Sequence, residues 1–126
     1  MRYYLEAIWK YASFTGRAAR RAFWWFMLLH LSIIVALTAF EVWRGHPPDP
    51  MNPSLVLSAY QLFILLPLLA LTVRRLHDTN RSGWWILLNL VPVIGQLLLL
   101  WFMLISGDRR DNRYGPDPLA AVRLNT

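Results

Sequence analysis

Three long apolar stretches dominate the chain, running Phe23 to Trp43, Ser54 to Val73 and Trp84 to Ile105. They are 21, 20 and 22 residues long. A helix needs roughly 20 mainly apolar residues to cross the ~30 Å hydrocarbon core of a bilayer. The second and third stretches hold no charged residue, and the first holds only Glu41, near its far end, where it can reach water beside Arg44. The pattern predicts an all-α integral membrane protein with three transmembrane helices.

The polar segments between them read as connections. In the leader, Tyr4, Leu5, Ile8, Trp9 and Ala12 share one helical face, which predicts a short N-terminal interfacial helix lying on the headgroups. Thr15-Gly16 ends it before Arg17, Arg20 and Arg21. The link Arg44 to Pro53 carries four prolines and a glycine and is expected to be a solvated hairpin. Pro67 falls past the middle of the second span, so a kink is expected between Phe63 and Pro67. Arg74 and Asp78 are four apart and predicted to pair, Asn80 to Gly83 reads as a tight turn, and Ser82 as a helix cap. The third stretch contains Asn89, Pro92, Gly95 and Gln96. It is either a kinked span or a re-entrant hairpin turning at Pro92 to Gly95, and three crossings are the expectation.

Composition narrows the class further. Of 126 residues, 56% are hydrophobic and 16% charged, and mean hydropathy is +0.35. About half the chain lies in the spans, so residues 1–126 form a single membrane domain of spans, basic leader 1–22 and polar tail 106–126. The first span exceeds the apolar region of a signal peptide and lacks a small-residue cleavage site, which predicts an uncleaved anchor. With no cysteine, thiolate metal sites, disulfides and cysteine nucleophiles are excluded. The net charge of +6 sits just outside the spans, the distribution of membrane anchoring and attraction to anionic lipid rather than of nucleic-acid binding. Three crossings would put eight basic residues with the leader and second link against five on the other side, favouring a cytoplasmic N-terminus at the bacterial inner membrane. A re-entrant third segment would bring all three basic blocks to the cytoplasm.

Candidate chemistry is concentrated in the polar blocks. Arg17, Arg20, Arg21, Trp24 and Trp25, then Arg74, Arg75, His77, Asp78, Arg81, Trp84 and Trp85, and finally Asn112, Arg113 and Tyr114 are candidates for headgroup or partner contact. His77 and Asp78 could serve a lipid-headgroup enzyme, but neighbours on a helix point about 100° apart, so an aligned dyad is not expected. No catalytic residue is assigned. His30, His46 and His77 lack the i, i+4 spacing of a helical metal site, so no metal or other cofactor is predicted. His30, Gln61, Asn89 and Gln96 are the polar groups inside spans, suited to interhelical bonds or, in an oligomer, to a polar path.

Three of these blocks, Gly16 to Trp25, Arg74 to Trp85 and Asn112 to Pro118, resemble the bacterial membrane family named domain of unknown function 805. RRLHD followed by RSGWW is the specific part. This chain departs from the family pattern at Ala19, where a serine is expected, at Ala22 for a glutamate, and at Asn80 and Arg110 for glycines. The resemblance implies a small inner-membrane protein and carries no activity with it. The expected role is a lipid- or protein-binding or assembly module using the interfacial Arg/Trp blocks. An oligomeric channel or transporter subunit and a headgroup enzyme are the alternatives. Expected partners are anionic lipids, with a membrane protein or a homo-oligomer next.

Overall fold

A computed structural model describes residues 13–120 together with Leu5, Ile8, Trp9, Lys10 and Leu124. The expected interfacial helix of the leader lies largely outside these residues. Among the described residues every named element is helical: α1 (Arg20–Trp43), α2 (Leu55–Asp78), a 3₁₀ helix (Gly83–Leu90) and α3 (Ile94–Leu104).

Both α1 and α2 have 24 residues, about 36 Å of helix, and are long and apolar enough to cross a membrane. Ser54 caps α2 through the Leu57 N–H at 3.4 Å. Pro67 is buried inside α2, which continues past it, leaving the Phe63 carbonyl without its usual helical donor. At the C-terminal end of α1 Glu41 is buried, with Arg44 3.3 Å away, where the sequence suggested a carboxylate that reaches water. It forms part of a cleft of about 590 Å³ shared with His46 and Asp49 of the link.

The segment 84–105, expected to be the third span, is not one helix. The 3₁₀ helix of 8 residues and α3 of 11 are each about 16 Å long, roughly half the hydrocarbon thickness. The chain reverses between them. Pro92 has no N–H to continue the first leg, and Val93 takes a left-handed φ of 63° in a γ-turn closed by the Ile94 N–H on the Pro92 carbonyl at 2.7 Å. Gln96 reaches back to accept from the Val93 N–H at 3.1 Å. Gly95 lies against Leu88, where a Cβ would run into the Leu88 carbonyl.

Both ends of this segment lie at the C-terminal end of α2. A Cβ on Gly83 would lie 2.8 Å from Val73, and the Asp108 N–H donates to the Asp78 carbonyl at 2.8 Å. The leader arrives at the same end, with Ala18 N–H donating to the Arg74 carbonyl at 3.0 Å. The core gathers there too: Phe23 and Phe26 of α1, Ile64, Leu71 and Leu76 of α2, and Leu99, Phe102 and Met103 of α3. Away from it, apolar side chains such as Leu31, Val35, Leu55 and Leu62 are exposed, a lipid-facing surface.

Two helix ends account for departures from the family pattern. α2 stops in a Schellman motif, with Arg81 N–H on the Leu76 carbonyl (3.0 Å) and Asn80 N–H on His77 (2.9 Å). Asn80 sits at φ 57°, a region asparagine tolerates in place of glycine. Ala19 is the N-cap of α1 and offers no side-chain cap, and Ala22 is its N3 residue. The serine and glutamate that the resemblance implies at these two positions would form a capping box, which two alanines cannot make. Introducing it as Ala19→Ser with Ala22→Glu is expected to stabilise the protein by about 1 kcal/mol. Thermal unfolding in mild detergent checks this, and an unchanged midpoint would mean that the α1 amides are satisfied by other groups.

Candidate functional site

Where leader, α2 end and tail meet, the three polar blocks form one knot around Asp78. The Asp78 side chain is 5% exposed. Its Oδ1 accepts from Arg17 Nε at 3.0 Å and Nη2 at 2.9 Å, and its Oδ2 from Arg75 Nη1 at 2.6 Å. Both oxygens accept charge-assisted bonds, the pattern of an ionised carboxylate. The partner expected four residues back was Arg74, but Arg75 at i−3 and Arg17 of the leader make these bonds. The Arg74 guanidinium is also buried.

The two arginines carry the knot outward. Arg17 donates to the carbonyls of Asp108 (2.6 Å), Arg110 (2.7 Å) and Gly115 (3.3 Å), so one leader side chain organises the tail. Arg75, fully buried, donates to the carbonyls of Met103 and Ile105 at the C-terminal end of α3. These carbonyls have no helical donor of their own, and a cation there also complements the helix dipole. Arg20 on the Leu104 carbonyl (3.0 Å) and Trp24 Nε1 on Met103 (3.1 Å) complete the closure of the hairpin onto α1.

His77 and Asp78 do not act on each other. The His77 Nδ1 faces the Gly16 carbonyl at 3.0 Å and therefore donates, while its ring stacks on Tyr114 with centroids 4.0 Å apart and planes at 2°. Asn112 bridges the His77 carbonyl (3.0 Å) and the Asp108 carboxylate (3.1 Å). Gly107 is required beside Asp78, because a Cβ would meet its carboxylate. With His77 8% and Asp78 4% exposed, neither group is presented to a substrate.

The remaining candidates lie around this knot. Arg81 covers the Phe102 ring at 4.2 Å, Trp85 meets Phe102 edge-on, and Arg113 lies over Tyr114 at 4.9 Å. Trp25 and Trp84 are exposed. Arg21 is exposed, and among the described residues nothing pairs with it. With Trp24, Trp25 and Leu28 it lines an open cleft of about 220 Å³. His30 bonds the Tyr60 hydroxyl at 3.0 Å and joins α1 to α2, whereas Gln61, Asn89 and Gln96 face outward. Among the described residues no three His, Asp or Glu side chains converge as a metal site would require.

Sequence reasoning picked out most side chains of the knot but missed its carbonyl acceptors and Gly107. Backbone acceptors carry no residue-type signal, and a lone glycine beside an aspartate reads as an ordinary turn.

Residues 11–116 match the family described as "Protein of unknown function (DUF805)". The chain belongs to this family. It is 40% identical over 118 residues to inner membrane protein YhaI of Escherichia coli K12, covering 94% of this chain and 96% of the relative. To inner membrane protein YhaH of the same organism it is 36% identical, covering 94% and 97%. An uncharacterized protein of that organism, YiiR, is 30% identical, covering 83% and 85%. No solved structure matches. The matched stretch of this DUF805 protein takes in the first two of the blocks that surround Asp78, the third as far as Pro116, and both long apolar helices.

Proposed function

We propose that this protein is a two-span, re-entrant inner-membrane module that holds anionic lipid headgroups on its cytoplasmic face. α1 and α2 cross the bilayer, and the 3₁₀ helix and α3 dip into one leaflet and return. Every lysine and arginine except Arg44 then belongs to segments on one side, and the positive-inside rule makes that side cytoplasmic. This arrangement is favoured over three crossings because both ends of segment 84–105 meet the same end of α2.

The observation that carries the lipid reading is the cleft of Arg21, Trp24, Trp25 and Leu28. Arg17 and Arg75 are consumed by the knot, so they stabilise the fold and do not recruit ligands. Arg21 keeps its guanidinium outward at the level where indole rings meet headgroups, with Leu28 one further turn into the apolar layer. A phosphate on Arg21 with an acyl chain along Trp25 and Leu28 fits that order of groups. Arg21→Gln is expected to reduce retained anionic phospholipid severalfold in native mass spectrometry, with the unfolding midpoint unchanged. Equal retention by the variant would rule out this cleft as the headgroup site.

A further inference from the structure

We propose that Asn89 and Gln96 form the contact through which two copies of this chain associate within the membrane. The inference rests on the re-entrant topology just described, in which the tip of the hairpin lies near the middle of the bilayer.

The two amides are placed alike. Asn89 is one residue from the end of the first leg and Gln96 is the third residue of the second. The close approach of Gly95 to Leu88 sets the legs abreast at that level. Each leg is about 16 Å long, so both amides lie at one depth, far from either headgroup layer. Both side chains are exposed. Gln96 uses its oxygen on the Val93 N–H, leaving its NH₂ without an acceptor among the described residues, and Asn89 has no partner there.

Three other polar side chains within the apolar helices are met by the chain itself. His30 meets Tyr60 at 3.0 Å, Ser32 donates to the Leu28 carbonyl at 2.8 Å and Thr72 to the Leu68 carbonyl at 2.8 Å. Gln61 is also exposed, but it begins only about 9 Å into α2, within reach of the outer headgroups. Hydrocarbon offers the tip amides no hydrogen bond, and leaving amide groups unmet there is costly.

A second copy supplies the matching partner. Copies inserted in the same direction are related by a two-fold axis along the membrane normal, which preserves depth. In such a self-complementary contact, residue i meets j and j meets i. The Gln96 NH₂ of each copy then donates to the Asn89 carbonyl oxygen of the other. An amide both donates and accepts, so this pairing requires no other molecule. The exposed apolar side chains Leu90, Val93 and Leu97 around the amides provide the packing surface.

The test is energy transfer between donor- and acceptor-labelled full-length protein in liposomes, diluted with lipid to vary the protein fraction. Wild type is expected to associate, and Asn89→Leu to weaken association about tenfold without lowering the unfolding midpoint. Asn89→Leu is the informative variant because Gln96 also holds the Val93 N–H. Transfer no greater than random proximity for wild type, or equal association by Asn89→Leu, would overturn the proposal. Single cysteines at Ser13 and Ala120, probed with a membrane-impermeant maleimide, check the topology in the same liposomes. Labelling of the two from opposite faces would remove the re-entrant reading itself. Labelling from one face, with no wild-type association, would remove the dimer contact alone.

Discussion

Replacing Asp78 by alanine is expected to cost about 3–5 kcal/mol of stability, because it strands two buried guanidiniums at once. Arg17 and Arg75 have side chains only 1% and 0% exposed, and each directs its charge-assisted bonds at one oxygen of this carboxylate. Removing a carboxylate from such a set leaves uncompensated charge in a low-dielectric interior, which costs far more than the pair itself contributes. The loss should reach beyond α2, since Arg17 also holds the tail carbonyls and Arg75 the end of α3. Folded yield and the unfolding midpoint in mild detergent should both fall sharply. Asp78→Asn keeps the shape and one acceptor but loses the charge, and should fall between. A double-mutant cycle with Arg17→Leu should give a coupling energy of about 1–3 kcal/mol. Normal yield and stability for Asp78→Ala would contradict a structural role for the knot.

Gly95→Ala is expected to destabilise the protein by about 1–3 kcal/mol, and the sign of that change decides the form of segment 84–105. In the hairpin, the added methyl would strike the Leu88 carbonyl, and backbone cannot move aside as a flexible side chain can. The legs must separate, and Leu99 and Phe102 behind them lose their fit in the core. In a continuous, kinked third span, residues 88 and 95 would lie two turns apart and would not meet. There alanine would be the better helix former, stabilising by roughly 1 kcal/mol. Leu98→Ala, at an exposed position of the same helix outside the proposed contact, is the control and should change little. A rise in midpoint for Gly95→Ala would favour the continuous span and remove the re-entrant topology.

In the proposed re-entrant topology, the knot is what holds the half-depth hairpin in place. A segment that does not cross has no second interface to anchor it, so its two ends must be fixed on one side. Arg75 and Arg20 fix its C-terminal end through the carbonyls of α3, and Ser82 caps its start with the Trp84 N–H at 3.3 Å. Arg81 over Phe102 and Trp24 on Met103 join those ends to the core. Many of the Arg and Trp side chains of these blocks are thus spent on the fold, while Arg21 is left exposed.

Much of this was legible in the residues themselves. Spans of 21 and 20 apolar residues predict membrane helices because length and the absence of charge are local properties of the chain. The Ser82 cap and the turn at Asn80 follow from local backbone chemistry in the same way. The third apolar stretch was ambiguous: composition cannot distinguish a kinked span from a hairpin, since both bury the same residues in lipid. What decided it was a long-range fit, the missing Cβ of Gly95 against Leu88 and the meeting of Ile105 with Arg75. Likewise, Arg74 looked like the partner of Asp78 by helical spacing, yet Arg17 arrives from 61 residues away to share the carboxylate with Arg75. The sequence by itself determined where this protein resides, because hydrophobicity sums along the chain. Only the tertiary structure decided which of its charges are spent on the fold, because that depends on which distant residues share a buried oxygen.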